Sequence, residues 1–179
     1  MTELPITPKD INEILNNLTS MLLETIQKWE DIVFIGIRSG GVLVAKKVVD
    51  LLEEKTGKTL LLGALDIALY RDDLSKMRFY PEVRSTDIPF SVDGKIVILV
   101  DDVINTGRSV RAAIDHIVDL GRPMRIYLMV LFDRGGREFP IQADYVGKQV
   151  ELSDEKIIKI EASENSGSAF DVIISEVDR

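Results

Sequence analysis

The run Val97-Ile98-Leu99-Val100-Asp101-Asp102-Val103-Ile104-Asn105-Thr106-Gly107-Arg108-Ser109 holds the residues whose types and spacing can do chemistry. Aliphatic residues bring two adjacent carboxylates to the end of a buried strand, and a small-residue loop then opens a helix. The first amides of a helix have no partner within it and sit at the positive end of its dipole. With the hydroxyls of Thr106 and Ser109 added, such a loop suits a dianionic phosphate. Gly107 lets the backbone approach that phosphate closely. Asp101 and Asp102 would repel a phosphate, so their partner is a pair of hydroxyls or a cation. A ribose 5-phosphate offers both functions at once, its phosphate to the loop and its 2- and 3-hydroxyls to the acids. The run lacks the Gly-Lys-Thr ending of a Walker A loop, and Gly36, Gly40 and Gly41 do not match the dinucleotide fingerprint.

The elements that must position these residues are legible in the flanking pattern. Thr7-Pro8-Lys9-Asp10 reads as a helix start, with Thr7 as cap and Pro8 at the first helical position. Ile11, Ile14, Leu15, Leu18, Leu22 and Ile26 recur at helical spacing and predict an amphipathic helix ending near Trp29. Ile32 to Ile37 predicts a strand covered on both faces. The turn Arg38-Ser39-Gly40-Gly41 leads into a helix from Val42 to Lys55, stopped by Gly57. Leu60 to Asp66, Ile96 to Val100 and Ile126 to Phe132 predict further strands, with a helix between the last two that ends at Gly121 and Pro123. Strands alternating with helices imply an α/β fold with a central, mostly parallel sheet flanked by helices, whose ligands bind at the carboxyl ends of the strands. Tyr70 to Pro89 is long and charged, and reads as a flexible excursion over the site. Lys156 to Glu161 and Phe170 to Glu176 predict short strands joined by a hairpin-like turn.

Bulk properties exclude several function classes. A length of 179 residues with 45% hydrophobic and 29% charged composition predicts a single domain with a full core. No apolar run reaches the roughly 18 to 20 residues that span a bilayer. The segment Met1-Thr2-Glu3-Leu4-Pro5 lacks the features of a secretion signal, so the expected location is the cytoplasm, with no membrane partner. The chain has no cysteine, which excludes thiolate nucleophiles and cysteine-ligated metals. The net charge of −8 opposes a phosphate polymer unless a local basic patch overcomes it. His116, the only histidine, lies beside the apolar positions Val110, Ala113, Ile114 and Ile117 and is expected to be a partly buried packing residue.

The run from Val97 to Ser109 resembles the phosphoribosyl pyrophosphate signature of the type I phosphoribosyltransferases. The likeness extends through Asp66 to Leu74, Asp87-Ile88-Pro89, Leu120 to Pro123, Asp133-Arg134-Gly135, Arg137-Glu138, Pro140-Ile141 and Ala143 to Lys148. Together these segments look like the family of pyrimidine operon regulators and uracil phosphoribosyltransferases, PyrR. That resemblance implies a type I phosphoribosyltransferase core at about residues 30–135, a small hood from the N-terminal segment and residues 136–179, and a flexible catalytic loop at about 70–89. It implies transfer of the 5-phosphoribosyl group from phosphoribosyl pyrophosphate to uracil, giving UMP and pyrophosphate, in a homodimer or higher homo-oligomer. Magnesium would arrive with the substrate, held if at all by Asp101 and Asp102. Those two acids would bind the ribose diol, and Val103 and Asn105 to Ser109 would hold the 5-phosphate. Arg38, Ser39 and Gly40 would face the pyrophosphate, and Arg71 would cover it. Arg134, Arg137, Tyr145 and Val146 would receive the base. The phosphate loop alone does not choose the base, so a purine phosphoribosyltransferase is an alternative.

The family's other activity is binding messenger RNA as a UMP- or UTP-sensing regulator of pyrimidine genes, by transcription attenuation, and here the chain departs from the pattern. RNA-binding members carry basic residues on the first helix, before the Ala-Asp-Tyr segment and in the loop after Gly-Lys. In this chain Asp10 to Gln27 contains no Lys, Arg or His, Gln142 precedes Ala143, and Glu151, Asp154 and Glu155 crowd the later loop. RNA is therefore disfavoured as a partner. Family members also commonly have Thr-Arg where Ser39-Gly40 stand.

Overall fold

The computed structural model describes residues 6–70, 85–153, 155–163 and 170–176. The first helix, α1 (Pro8–Thr25), starts as its sequence predicts: the Asp10 amide donates to Thr7 Oγ1, and the Thr7 amide donates back to the Asp10 carboxylate at 2.8 Å. It ends one turn before Trp29. Ile26 leaves the helix in an extended conformation while its amide still donates to Leu22, and both Ile26 and Trp29 then bury their side chains in the core. The helical spacing of Ile26 thus reflects burial rather than helix.

Five strands follow in one sheet. They are β1 (Ile32–Ile37), β2 (Leu61–Leu65), β3 (Ile96–Ile104), β4 (Arg125–Asp133) and β5 (Tyr145–Gln149), interleaved with α2 (Gly40–Thr56) and α3 (Arg108–Leu120). Their order is β2-β1-β3-β4-β5, and every pairing is parallel. A separate antiparallel pair, β6 (Lys156–Ala162) with β7 (Phe170–Glu176), lies after it. The α/β architecture with a parallel sheet between helices is the one the alternating pattern implies.

Two differences bear on the site. The sheet strand β3 runs on through Asp101 and Asp102 to Ile104, so the acids are part of a strand and not of a loop; Asp101 pairs with Val130 and Val103 with Phe132. The strand outlasts its aliphatic run because β4 continues beside it. Residues 145–149, expected in a hood, form the edge strand of the main sheet, with Tyr145 opposite Met129. Their two-residue alternation is short and interrupted by Gly147, which hides the strand in the sequence.

Alternation along the strands divides the core into two layers. Phe34, Ile98, Val100 and Met129 pack with α1, α2 and the β6–β7 hairpin, whereas Val33, Ile35, Val97, Leu99 and Val130 pack under α3. Among the described residues, no helix is long and apolar enough to cross a membrane.

Candidate active site

The connection from β1 passes outward to β2, and that from β3 passes the other way to β4, so the sheet reverses direction between β1 and β3. At such a switch point the loops part and leave a crevice at the carboxyl ends of the strands. The amino ends of α2 and α3 both open there, and each presents amides that no helical carbonyl satisfies.

The first wall is Arg38-Ser39-Gly40, joined by a cis peptide between Arg38 and Ser39. The Arg38 amide donates to Leu65 at 2.9 Å, and its Nε donates to the Ser85 carbonyl at 3.0 Å. Gly40 is buried against the acids, and a Cβ there would overlap the Asp102 carboxylate. The carboxylate takes the space that a side chain would fill, at the position where the resembled family commonly has Arg.

The second wall is the end of β3. Asp101 is 6% exposed, and its Oδ1 accepts the Asp102 amide; Asp102 Oδ1 in turn accepts the Val103 amide at 2.9 Å. Burial pushes the Asp102 carboxyl above its ordinary value, and the bonds it accepts from those neighbours only partly offset that cost. By the alternation of the strand, Asp102 leans toward α2 while Asp101 follows Leu99 toward the α3 layer.

The third wall is the loop Asn105 to Ser109. Gly107 caps α3 with φ 88, a left-handed conformation that costs other residues free energy, and it is this backbone geometry that requires the glycine. The loop is braced by residues 133–141. Glu138 and Phe139 donate their amides to the Thr106 carbonyl, and the Glu138 carboxylate accepts Arg108 Nε at 2.7 Å while the Phe139 ring lies under that guanidinium. Arg137 donates to the carbonyls of Asn105, Gly135 and Ile141 and, at 2.6 Å, to the Asp133 carboxylate. Burial alone would raise the Asp133 carboxyl, but the donors Arg137 and Gly135 outweigh it and hold it below the ordinary value.

These positions sort the expected site residues. Arg38, Ser39, Gly40, Asp101, Asp102, Val103 and Asn105 to Ser109 meet at the crevice. Arg71 lies outside the described residues, as does Asp154. Arg137, expected to face the base, uses its donors to clamp the 133–141 segment to the loop at Asn105. Arg134 ties the end of β4 to the hairpin through the carbonyls of Ser153 and Lys156. Tyr145 is 4% exposed and packs in the core edge-on to Tyr127, and Val146 lies half-buried in the opposite layer. A cavity of about 1870 Å3 opens beside Asp133 and Arg137, bounded by Arg134, Gln142, Lys148, Lys156 and Val172. Sequence reasoning gave no role to Glu138, Asp133 or Ser85. The first two stand in segments that carry the family likeness without a role assigned to them, and Ser85 is signalled by nothing.

The donor set suits a hard cation. Among the described residues no three acids, histidines or cysteines converge, and Asp101 and Asp102 offer carboxylate oxygens of the kind such an ion takes alongside water and substrate oxygens.

Comparison with known proteins agrees with this geometry. The family model for the phosphoribosyl transferase domain matches residues 9–164. The bifunctional protein PyrR of Pelotomaculum thermopropionicum is 48% identical over 168 residues, covering 92% of this chain and 93% of that protein. The bifunctional protein PyrR of Thermus aquaticus is 44% identical over 158 residues, covering 88% and 87%. A hypoxanthine-guanine phosphoribosyltransferase of Bacillus anthracis superposes with a TM-score of 0.67 over 96% of this chain and 95% of that one, and at 20% identity the likeness concerns the fold alone.

Proposed function

Since the chain belongs to the PyrR family of phosphoribosyltransferases, we propose that it transfers the 5-phosphoribosyl group of phosphoribosyl pyrophosphate to uracil in the cytoplasm, releasing UMP and pyrophosphate. One observation carries the reading. A single strand-loop-helix unit, β3 to α3, sets carboxylates for a ribose diol beside exposed helix amides for its 5-phosphate, and the mouth of α2 adjoins it. In this reading Asn105 to Ser109 fix the phosphate, Asp101 and Asp102 orient the ribose, and Arg38 with the amides opening α2 receives the pyrophosphate. The sugar becomes electron-poor as the anion departs, so catalysis is mostly orientation and stabilisation of the leaving charge. Magnesium, when bound with the substrate near Asp101 and Asp102, would help neutralise that charge. The cavity beside Asp133 and Arg134 supports a base entering from the side of β4 and the hairpin.

The test is product formation from phosphoribosyl pyrophosphate and magnesium with uracil, cytosine, hypoxanthine or guanine in turn. Uracil alone should be consumed, and the double variant Asp101→Asn, Asp102→Asn should be inactive. Turnover with a purine in preference to uracil would move the acceptor assignment to the purine class.

A further inference from the structure

His116 sits on α3 about 12 Å along the axis from the start of that helix. Its Nδ1 lies 3.0 Å from the Asp66 carbonyl. A carbonyl only accepts, so Nδ1 carries the proton and donates. One face of the ring is stacked on Tyr70, with centroids 4.2 Å apart and planes inclined by 9°, and the Tyr70 hydroxyl donates to Asp119 one turn further along α3. The contact is therefore a directed one, beyond the packing expected from the sequence.

What it braces matters for the site. Leu65 and Asp66 share a peptide whose carbonyl accepts the Arg38 amide and whose amide donates to Thr86 Oγ1 at 3.1 Å. Ser85, next to Thr86, accepts Arg38 Nε. Arg38 is thus held from the end of β2 on one side and from Ser85 on the other. The next carbonyl along the chain, that of Asp66, is the one His116 grips from α3. The outer side of β2 is bridged by Asp87 at Ala64, and the His116 bond adds support from α3 two residues further along, where the strand has ended.

We propose that His116 is a positioning residue that sets Arg38 and the mouth of α2 to receive pyrophosphate, with Tyr70 holding its ring in the plane that makes the hydrogen bond. The proposal rests on the phosphoribosyltransferase reading of the site. It concerns the pyrophosphate side only, because the 5-phosphate loop is braced separately by Arg137 and Glu138.

Calorimetric titration of the full chain with magnesium pyrophosphate and, separately, with UMP reads the two sides without turnover. His116→Phe keeps a ring on Tyr70 and loses the donor. It should weaken pyrophosphate binding about three- to tenfold, the range for one hydrogen bond, and leave UMP binding within about twofold. His116→Asn can place an amide nitrogen near the position of Nδ1 and should recover most of the loss. Unchanged pyrophosphate binding in the Phe variant, equal weakening of both ligands, or absence of recovery with Asn would overturn the proposal. Should the Phe variant not fold, Tyr70→Leu removes the stacked ring and is expected to cause the same selective loss; pyrophosphate binding like that of the parent chain would count against the brace. Uracil turnover by the unaltered chain is scored apart, so a different acceptor base leaves this test standing, whereas a chain that binds neither ligand sinks both readings.

Discussion

At the end of β3, burial raises the Asp102 carboxyl above its ordinary value of 3.8, whereas at the end of β4 the donors around Asp133 lower that carboxyl below it. The two acids therefore act on stability with opposite signs. Between the ordinary value and the raised one, the folded chain holds a proton on Asp102 that the unfolded chain has released, so the stability due to this group declines as pH rises through that window. Asp133 contributes above the ordinary value, and its contribution is lost as pH falls through the lowered one. Denaturant unfolding at a series of pH values should show Asp102→Asn gaining on the parent chain as pH rises from the ordinary carboxyl value through the raised one. A gap that stays constant over that range would contradict the burial of this carboxyl. Gly107→Ala should cost about 1–2 kcal/mol of stability, because an L side chain would have to occupy the left-handed cap, and it should weaken UMP binding, both measurable on one sample. The residue types at Asp101 to Ser109 were readable from the sequence because strand, acids, glycine and hydroxyls stand in unbroken order. The hydrogen bonds of Arg137 were not, because the carbonyls it grips are brought in from Asn105 and Ile141 by the fold.

Among the elements, α1 shows how burial and periodicity can part company. Its stripe of Ile11, Ile14, Leu15, Leu18 and Leu22 packs against α2 and the sheet, and its capping box is visible in the order Thr-Pro-Lys-Asp. Its end was misplaced because Ile26 continues the apolar spacing after the backbone has turned away. Leu22 is fully buried, and Leu22→Ala should cost about 2–5 kcal/mol, read as an earlier urea midpoint, with product formation retained at low temperature. Strands β1, β3 and β4 were legible because they are apolar on both faces. The edge strand β5 was not, since Asp144 before it and Lys148 within it carry the polarity of a loop.

Over the whole molecule, the balance of charge opposes a phosphate polymer. The net charge is −8, the only cation on α1 is Lys9 in its first turn, and Gln142, Glu151 and Glu155 are exposed where a basic surface would be needed. A gel-shift with the leader RNA of the chain's own pyrimidine operon, in the presence of UMP, should give weak binding that fades further with added salt. Nanomolar retention would show that cations elsewhere compensate. The order of strands also has a consequence for synthesis. The middle of the sheet is β3, which begins only at Ile96 of 179 residues, so β1, paired with β2 on one side, waits for its other partner until more than half the chain has been made. A nascent chain halted before Ile96 leaves one edge of the apolar β1 without a partner, and the crevice between β1 and β3 appears only once β3 has been added.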